Sequence, residues 1–251
     1  MDNIPASVPS TPFERPAPAR TPDPDHAFIK LYCCHCGEKL PVKLSCGDRT
    51  CPECRLKWFG YHFKTLLDVV TAWPSVYFLT LTIKNIPDSA WGRYHVDLIR
   101  KNFSRFRSRF KQIAGGFYVV QATNRGAGWH LHLHILYDGR YIPKDDISKA
   151  WAEITAGSFI VDIMRVDNPR VAVRYLLSDF LQSPRIRPED QEAFNGVFRG
   201  SRIVQPFGKY RKTRFKVGPY KCPKCGESCW AFIEDILGEK RRFHRCYEDD
   251  S

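Results

Sequence analysis

Three histidines at alternate positions are the clearest chemical signal in this chain of 251 residues. His130, His132 and His134 occur in the run WHLHLHILY, with apolar residues between them. Successive side chains of a β-strand point to opposite faces, so the spacing predicts a strand with one imidazole face and one apolar face. Imidazoles on one face can bind a divalent cation and leave coordination positions open for a substrate. The alternative is a solvent-facing strand that merely contains histidines.

A further ligand is expected from the preceding strand. Residues 117–123 are rich in β-branched and aromatic side chains, and a glycine-rich turn at 124–128 would fold them against the histidine strand. Gln121 lies near that turn, and its amide oxygen suits a hard cation such as Mg²⁺ or Mn²⁺. The predicted metal-binding set is therefore His132, His134, Gln121 and His130.

The ten cysteines form two clusters with the spacing of structural zinc sites. In the first cluster, Cys33 and Cys36 form one two-residue knuckle, and Cys51 and Cys54 form another. This spacing predicts a four-cysteine zinc ribbon, and disulfides are the weaker alternative because no secretory signal is apparent. Two thiols of this cluster remain as possible substitutes for a ligand, Cys34 and Cys46.

The second cluster predicts a second structural zinc ion. Cys222 and Cys225 form a knuckle in the run CPKCG. Cys246 would add a third ligand, and either His244 or Cys229 would complete the site, with His244 favoured. Four protein ligands leave no coordination position for water, so neither zinc site is expected to be catalytic.

The charge of the chain favours a polyanionic partner. Lys and Arg number 39 against 27 Asp and Glu, which gives a net charge of +12. One basic run lies on the polar face of a predicted helix at 95–113. The other is KYRKTRFK at 209–216, where Tyr210 and Phe215 are interleaved with Arg and Lys as in single-strand binding sites. The alternative for each run is a solvated surface. The predicted DNA contacts are Arg100, Arg105, Arg109, Lys209, Tyr210, Arg211, Lys212 and Arg214.

The elements that must position these residues follow the order β-α-β-β-α-β and then a helix. This order predicts an α+β fold whose antiparallel sheet has helices on one face, of the ferredoxin-like or RRM-like type, flanked by small zinc-binding modules. No apolar stretch is long enough to cross a membrane, so a cytoplasmic protein without a membrane partner is expected. The predicted parts are a disordered proline-rich tail at 1–27, a zinc ribbon with a linking helix at 28–72, a core at 73–215 and a zinc-binding module at 216–251.

Three short motifs give the chain a family resemblance. His132-Leu-His134 resembles the HUH motif, FLTLT at 78–82 resembles the first motif of that superfamily, and Tyr175 in VRYLLSDF resembles the third. With the cysteine-rich N-terminal part and RIVQPFG at 202–208, the chain resembles rolling-circle replication initiators (Rep proteins) of bacterial plasmids and phages. The resemblance covers roughly residues 30–215.

The resemblance implies a core that is an HUH endonuclease, which nicks and rejoins single-stranded origin DNA. Tyr175 would be the catalytic nucleophile, forming a 5′-phosphotyrosine and leaving a 3′-OH primer. His132 and His134 would bind the catalytic Mg²⁺ or Mn²⁺, with Gln121 where many relatives have a glutamate. A host helicase and polymerase would be partners in the bacterial cytoplasm. Ser178 stands where many relatives have a lysine, and Val171 where some have a glutamate.

Other functions fit parts of the same pattern. A non-enzymatic, zinc-containing nucleic-acid-binding protein would keep the cysteines and the basic surface with a degenerate histidine site. An HUH transposase or relaxase would share the chemistry, and a zinc hydrolase would use water and form no covalent adduct. Tyr175 separates enzyme from binding module, because only the enzyme needs its hydroxyl group.

Overall fold

The computed structural model describes residues 28–178, 185–215, 221–228, 230–235 and 244–245. The predicted tail at 1–27 lies outside the described residues. So do the candidate zinc ligands Cys229 and Cys246 and the side chain of His244. The described residues form two sheets, one of five strands and one of four.

The five-stranded sheet is antiparallel throughout and contains the histidine strand at its centre. Its order is β6-β3-β5-β4-β7. The expectation of an α+β chain with an antiparallel sheet is confirmed, and β7 adds a strand that was not predicted. The strands are β3 (Val76–Thr82), β4 (Ile113–Asn124), β5 (Trp129–Gly139), β6 (Val161–Val166) and β7 (Val204–Gly208).

Within the described residues, five α-helices pack around this sheet. The fourth begins with a side-chain cap: the Asn168 side chain accepts hydrogen bonds from the backbone N–H groups of Arg170 and Val171, at 3.0 and 3.3 Å, and Pro169 follows at the first helical position. The helices are α1 (Pro52–Thr71), α2 (Arg93–Arg109), α3 (Lys144–Thr155), α4 (Pro169–Leu176) and α5 (Gln191–Phe198).

One face of the sheet is covered by α2, α3 and α5. The apolar side of β5, with Leu131 and Leu133 fully buried, packs here. The predicted apolar stripe of α2 supplies Ile99 and Phe106, also fully buried. Each such side chain contributes about 1.5–3 kcal/mol relative to an exposed one.

The other face of the sheet also has helices, so the prediction of helices on one face only is wrong. Leu66 of α1 and Leu176 of α4 pack there against Phe78, Phe117 and Leu136 of the sheet. These large apolar side chains occupy one end of the face that has the histidines at its other end. Covering that apolar area requires a second layer of helices.

The four-stranded sheet joins the two ends of the described chain in the order β2-β1-β8-β9. The two segments predicted as separate zinc modules, at 28–72 and 216–251, therefore share one sheet. A two-stranded hairpin alone is marginally stable, and pairing β1 with both β2 and β8 removes that weakness. We call this the cysteine-rich sheet; its strands are β1 (Phe28–Cys33), β2 (Lys39–Lys43), β8 (Trp230–Asp235) and β9 (His244–Arg245).

Across the described residues, no helix combines the length and the apolar character needed to cross a bilayer.

Candidate active site and cysteine clusters

The register of the central strands places the predicted metal ligands side by side. On β5, His132 lies directly opposite Gln121 of β4, and His134 lies opposite Thr80 of β3. Directly paired residues of neighbouring strands point to the same face. The hairpin predicted from the glycine-rich turn therefore brings Gln121 to the histidines.

Hydrogen bonds hold both imidazoles in place. The Nε2 atom of His132 lies 2.9 Å from Oε1 of Gln121, and Nδ1 of His134 lies 3.2 Å from Oγ1 of Thr80. The two rings are 4.7 Å apart between centroids and nearly perpendicular, at 85°. The pair thus presents a compact polar patch in the sheet.

Burial keeps these imidazoles neutral. Burial first, and a neighbouring histidine second, lower the pKa of His132 to about 4 and the pKa of His134 to about 3. A neutral imidazole has a lone pair available for a cation. Within the described residues, two buried polar atoms at this position have no hydrogen-bond partner, Nδ1 of His132 and Nε2 of Gln121.

His130 shares the strand face but makes a different contact. Its Nδ1 atom lies 2.8 Å from Oδ1 of Asn85, in the loop after β3, and its ring is 5.6 Å from that of His132. The structure therefore brings together His132, His134 and Gln121, and places His130 beside Asn85.

Tyr175 lies next to the histidine pair. Its neighbours Val173 and Leu176 anchor α4 in the core, whereas the Tyr175 side chain remains 53% exposed. The ring contacts Phe78 and His134 edge-on, with centroids 4.9 and 5.6 Å apart. The Tyr175 side chain, which carries a hydroxyl group, therefore lies next to His134 and is accessible to solvent. We call Gln121, His132, His134 and Tyr175 the histidine site.

Four cysteines from the two ends of the described chain form one cluster. The Sγ atoms of Cys33 and Cys225 are 3.5 Å apart and those of Cys36 and Cys222 are 3.6 Å apart, and all four lie within 4.8 Å of one another. This four-cysteine cluster could hold a tetrahedral zinc ion.

A second group contains Cys46, Cys51 and Cys54, whose Sγ atoms also lie within 4.8 Å of one another. It sits where the loop after β2 enters α1, and Cys51 is the residue before the first turn of that helix. This three-cysteine cluster could also hold zinc. Cys34, the other thiol left over from the first cluster of the sequence, is exposed.

The structure thus divides the cysteines differently from the predicted ribbon. Cys33 and Cys36 meet Cys222 and Cys225 rather than Cys51 and Cys54, because β1 pairs with β8 and brings the two knuckles to the same end of the sheet. The sequence contains a signal for this pairing that its spacing alone hides. Both knuckles read C-x-x-C-G-E, whereas Cys51 and Cys54 occur in CPECRL.

The two matching knuckles have the same backbone geometry. In each, the glycine N–H donates to the carbonyl oxygen of the first cysteine, at 2.9 Å for Gly37 and 2.8 Å for Gly226. Both glycines have positive φ, 71° and 79°, a conformation that favours glycine. The repeated sequence therefore encodes a repeated turn that presents two thiols.

The predicted DNA contacts on α2 lie on the far side of the sheet from the histidine site. Arg100 forms an ion pair with Asp97 at 3.4 Å, and Arg109 contacts Glu153, while Arg105 is exposed. The amphipathic pattern predicted this helix but extended it to 113, whereas it ends at Arg109 and Ile113 begins β4. The pattern contained no information about which face of the sheet the helix covers.

The second basic run divides into two parts. Lys209 and the Tyr210 hydroxyl group both contact the buried carboxylate of Asp138, the hydroxyl at 2.8 Å, and the Tyr210 ring packs on Trp73 with centroids 4.8 Å apart. These two side chains anchor the segment, so the Tyr210 ring does not present a free face for a base. The remaining predicted contacts are exposed, namely Arg211, Lys212 and Arg214.

The chain matches no protein-family model, no curated protein and no solved structure.

Proposed function

We propose that this chain is a metal-dependent enzyme of the HUH type that nicks and rejoins single-stranded DNA as a rolling-circle replication initiator. The observation that carries the proposal is the position of Tyr175, whose ring lies 5.6 Å from that of His134 at an exposed margin. Three elements, β4, β5 and α4, contribute to this one polar patch. An exposed position beside this patch of two imidazoles and an amide group is the one expected for a nucleophile next to a metal site.

The topology supports the same proposal. The element order β3-α2-β4-β5-α3-β6 and the sheet order β6-β3-β5-β4 are those expected for the ferredoxin-like or RRM-like unit that we propose, with β7 added at the edge. In this arrangement both imidazoles are on β5, the central strand, which is paired along both of its edges.

The donor set fits a divalent ion with a preference for nitrogen and oxygen ligands. His132 and His134 are neutral, Gln121 offers an amide oxygen, and the buried Nδ1 of His132 lacks a partner within the described residues. Mg²⁺ or Mn²⁺ bound there would neutralise charge that develops on the phosphoryl oxygens.

Tyr175 supplies the nucleophile in this proposal. Its Oη atom attacks the scissile phosphorus, the bond from phosphorus to the 3′ oxygen breaks, and the phosphate remains on Tyr175 as a 5′-phosphotyrosine. The tyrosine proton leaves to water at this exposed position, and the departing 3′ oxygen takes a proton from water. Attack by a 3′-OH reverses these steps, so rejoining needs no nucleotide cofactor.

The neighbouring residues orient this chemistry. Thr80 holds the His134 ring through its 3.2 Å contact, and the edge-on packing of Tyr175 against His134 and Phe78 fixes the direction of its ring. In the replication process we propose, the 3′-OH primes a host polymerase while a host helicase separates the strands, in the bacterial cytoplasm. The cysteine clusters would hold structural zinc.

The test is formation of a covalent adduct. The protein is incubated with Mg²⁺ or Mn²⁺ and labelled single-stranded fragments that together cover its replicon, and a denaturing gel detects a protein–DNA band. We expect the band to disappear in Tyr175→Phe and in His132→Ala combined with His134→Ala. Tyr141→Phe is the matched control, because Tyr141 is also 53% exposed but lies beyond the end of β5.

Two results would contradict the proposal. A band of full intensity in Tyr175→Phe would move the nucleophile to another residue. No band with either ion on any fragment would favour the zinc-containing binding protein, in which the bonds from His132 to Gln121 and from His134 to Thr80 are purely structural.

A further inference from the structure

A large cavity lies beside the histidine site, on the same side of the sheet. Its volume is about 1180 Å³, above the roughly 300–1,000 Å³ typical of small-molecule sites. Val204 and Pro206 of β7 line it together with Trp58 of α1. The loop between Cys46 and Cys51 contributes Gly47 and Arg49. We call this cavity the basic groove.

The groove is strongly positive. Among the described residues, its lining includes five Arg or Lys and no Asp or Glu. Arg49 is already engaged, since its Nη2 donates to the carbonyl oxygen of Ser201 at 3.0 Å and its guanidinium lies 4.5 Å from the Phe198 ring. The other four cations are exposed, and no carboxylate of the described chain lies within 4.0 Å of them; they are Arg202, Arg211, Lys212 and Arg214. Such a cluster repels itself and attracts a polyanion.

Aromatic surface accompanies the charge. Trp58 and Phe215 both line the groove and are partly exposed. The Phe215 ring is held by an edge contact with His62, with centroids 4.6 Å apart. Aromatic faces among cations bind unpaired bases together with their phosphates, which a duplex does not offer because its bases are stacked inside.

The sheet connects the groove to the histidine site. Val204 of β7 pairs with Val119 of β4, and Val119 pairs with His134 of β5, so these side chains share one face in one row. Neighbouring strands are about 4.8 Å apart, which puts His134 roughly 10 Å from Val204 across the sheet. A polynucleotide bound in the groove is therefore close to Tyr175.

We infer that the basic groove binds the segment of single-stranded DNA next to the phosphate to be cleaved. Its phosphates contact Arg202, Arg211, Lys212 and Arg214, and its bases pack against Trp58 and Phe215. The inference rests on the proposed function for the choice of DNA and for the position of the cleaved phosphate. The three-cysteine cluster would help to shape the groove, because Cys46 and Cys51 lie at the two ends of the loop whose Gly47 and Arg49 line it.

The test measures binding without nicking. In the Tyr175→Phe background, fluorescence anisotropy follows a labelled single-stranded oligonucleotide as salt is raised. The groove variant changes Arg202, Arg211, Lys212 and Arg214 to Ala. The control changes four exposed cations that lie outside the groove and outside the predicted DNA contacts to Ala, namely Lys101, Lys111, Arg140 and Lys149. Both variants lose the same charge from solvent-exposed positions.

For a single strand, the logarithm of the association constant falls linearly with the logarithm of the salt concentration, and loss of four phosphate contacts makes this slope shallower by about 3. Between about 50 and 200 mM salt, the parent protein should then lose about 50-fold more affinity than the groove variant. The control variant should keep the parent slope. A further variant with Arg202, Arg211 and Arg214 changed to Lys keeps the charge and should restore most of the binding, which separates lost contacts from misfolding.

Equal losses in the groove and control variants would overturn the inference, as would unchanged binding by the groove variant. Equal, groove-dependent affinity for an RNA of the same sequence or for duplex DNA would overturn the choice of single-stranded DNA. Because the assay needs no nicking, its result is independent of the covalent adduct. Groove-dependent binding without a covalent adduct would support the groove as a DNA site and reject the nicking function. A covalent adduct without groove-dependent binding would support the nicking function and overturn the inference about the groove.

Discussion

The histidine site and the cysteine-rich sheet are assembled over very different distances along the chain. Gln121 and His132 are 11 residues apart and meet through one hairpin, whereas Cys33 and Cys225 meet across 192 residues. Strand alternation and one turn are enough to predict the first contact. The repeated C-x-x-C-G-E turn marks the two knuckles of the second contact, but their meeting depends on the pairing of β1 with β8. Local patterns are therefore a better guide to the histidine site than to the cysteines.

The largest expected effect comes from breaking the long-range contact. Cys222→Ser should remove one zinc ion from the protein and disrupt the cysteine-rich sheet, since structural zinc contributes about 10–16 kcal/mol to the folding of small zinc domains. Metal analysis of the purified protein and circular dichroism measure the two losses. Cys34→Ser, at an exposed thiol outside both clusters, is the control and should keep the zinc. If Cys222→Ser retained all its zinc, the four-cysteine cluster would not be a metal site.

The next effect tests the histidine site itself. His134→Ala should slow formation of the covalent adduct by about 10²–10³-fold, because the site loses several kcal/mol of charge stabilisation. His130→Ala should react much as the parent protein does, since the His130 ring faces Asn85. Single-turnover rates on a denaturing gel provide the measurement. Equal losses in both variants would show that all three histidines act together, as the alternation of the strand alone suggested.

A smaller effect should appear in α1, the helix that starts at the three-cysteine cluster and packs on the central sheet. Burial lowers the pKa of His62 to about 4, whereas an unfolded histidine titrates near 6.5. Between these values the unfolded chain binds more protons, so the stability due to neutral His62 is present above pH 6.5 and is lost as the pH falls towards 4.

Urea unfolding at pH 7 and pH 5 measures this contribution. The parent protein should lose about 2 kcal/mol more than His62→Phe between the two conditions. Acid effects on the cysteine clusters are common to both proteins and cancel in the comparison. Equal losses would mean that His62 is protonated in the folded protein.

The smallest effect concerns the segment that anchors the basic groove to the sheet. Tyr210→Phe removes the hydroxyl that donates to Asp138 at 2.8 Å but keeps the ring on Trp73. We expect a loss of about 1.5 kcal/mol in the free energy of unfolding, because the acceptor is a buried carboxylate, and little change in DNA binding. Thermal unfolding and anisotropy measure the two quantities. A large loss of DNA affinity would show that the hydroxyl group, through its contact with Asp138, positions the basic segment for DNA.

Much of the histidine site could be predicted from the sequence, because it depends on the two-residue alternation of one strand and on one short turn. Alternation placed His132 and His134 on one face, and the turn at 124–128 placed Gln121 beside them. The same alternation could not show that His130 contacts Asn85, since that contact depends on the loop after β3. The resemblance of VRYLLSDF to a superfamily motif singled out Tyr175, but the position of α4 over the histidines needed the packed structure.

The chain by itself determined the elements: the period of two in β5, the apolar stripe of α2, the Asn168 cap of α4 and the two C-x-x-C-G-E turns are local properties of a few residues. Tertiary structure alone decided which faces meet. It put α1 and α4 over the histidine face, α2 with its arginines over the other, and the two matching knuckles at one end of the cysteine-rich sheet. The physical reason is that burial of apolar area and pairing of strand edges are satisfied by the whole chain at once, and many arrangements of the same elements agree with the same local patterns.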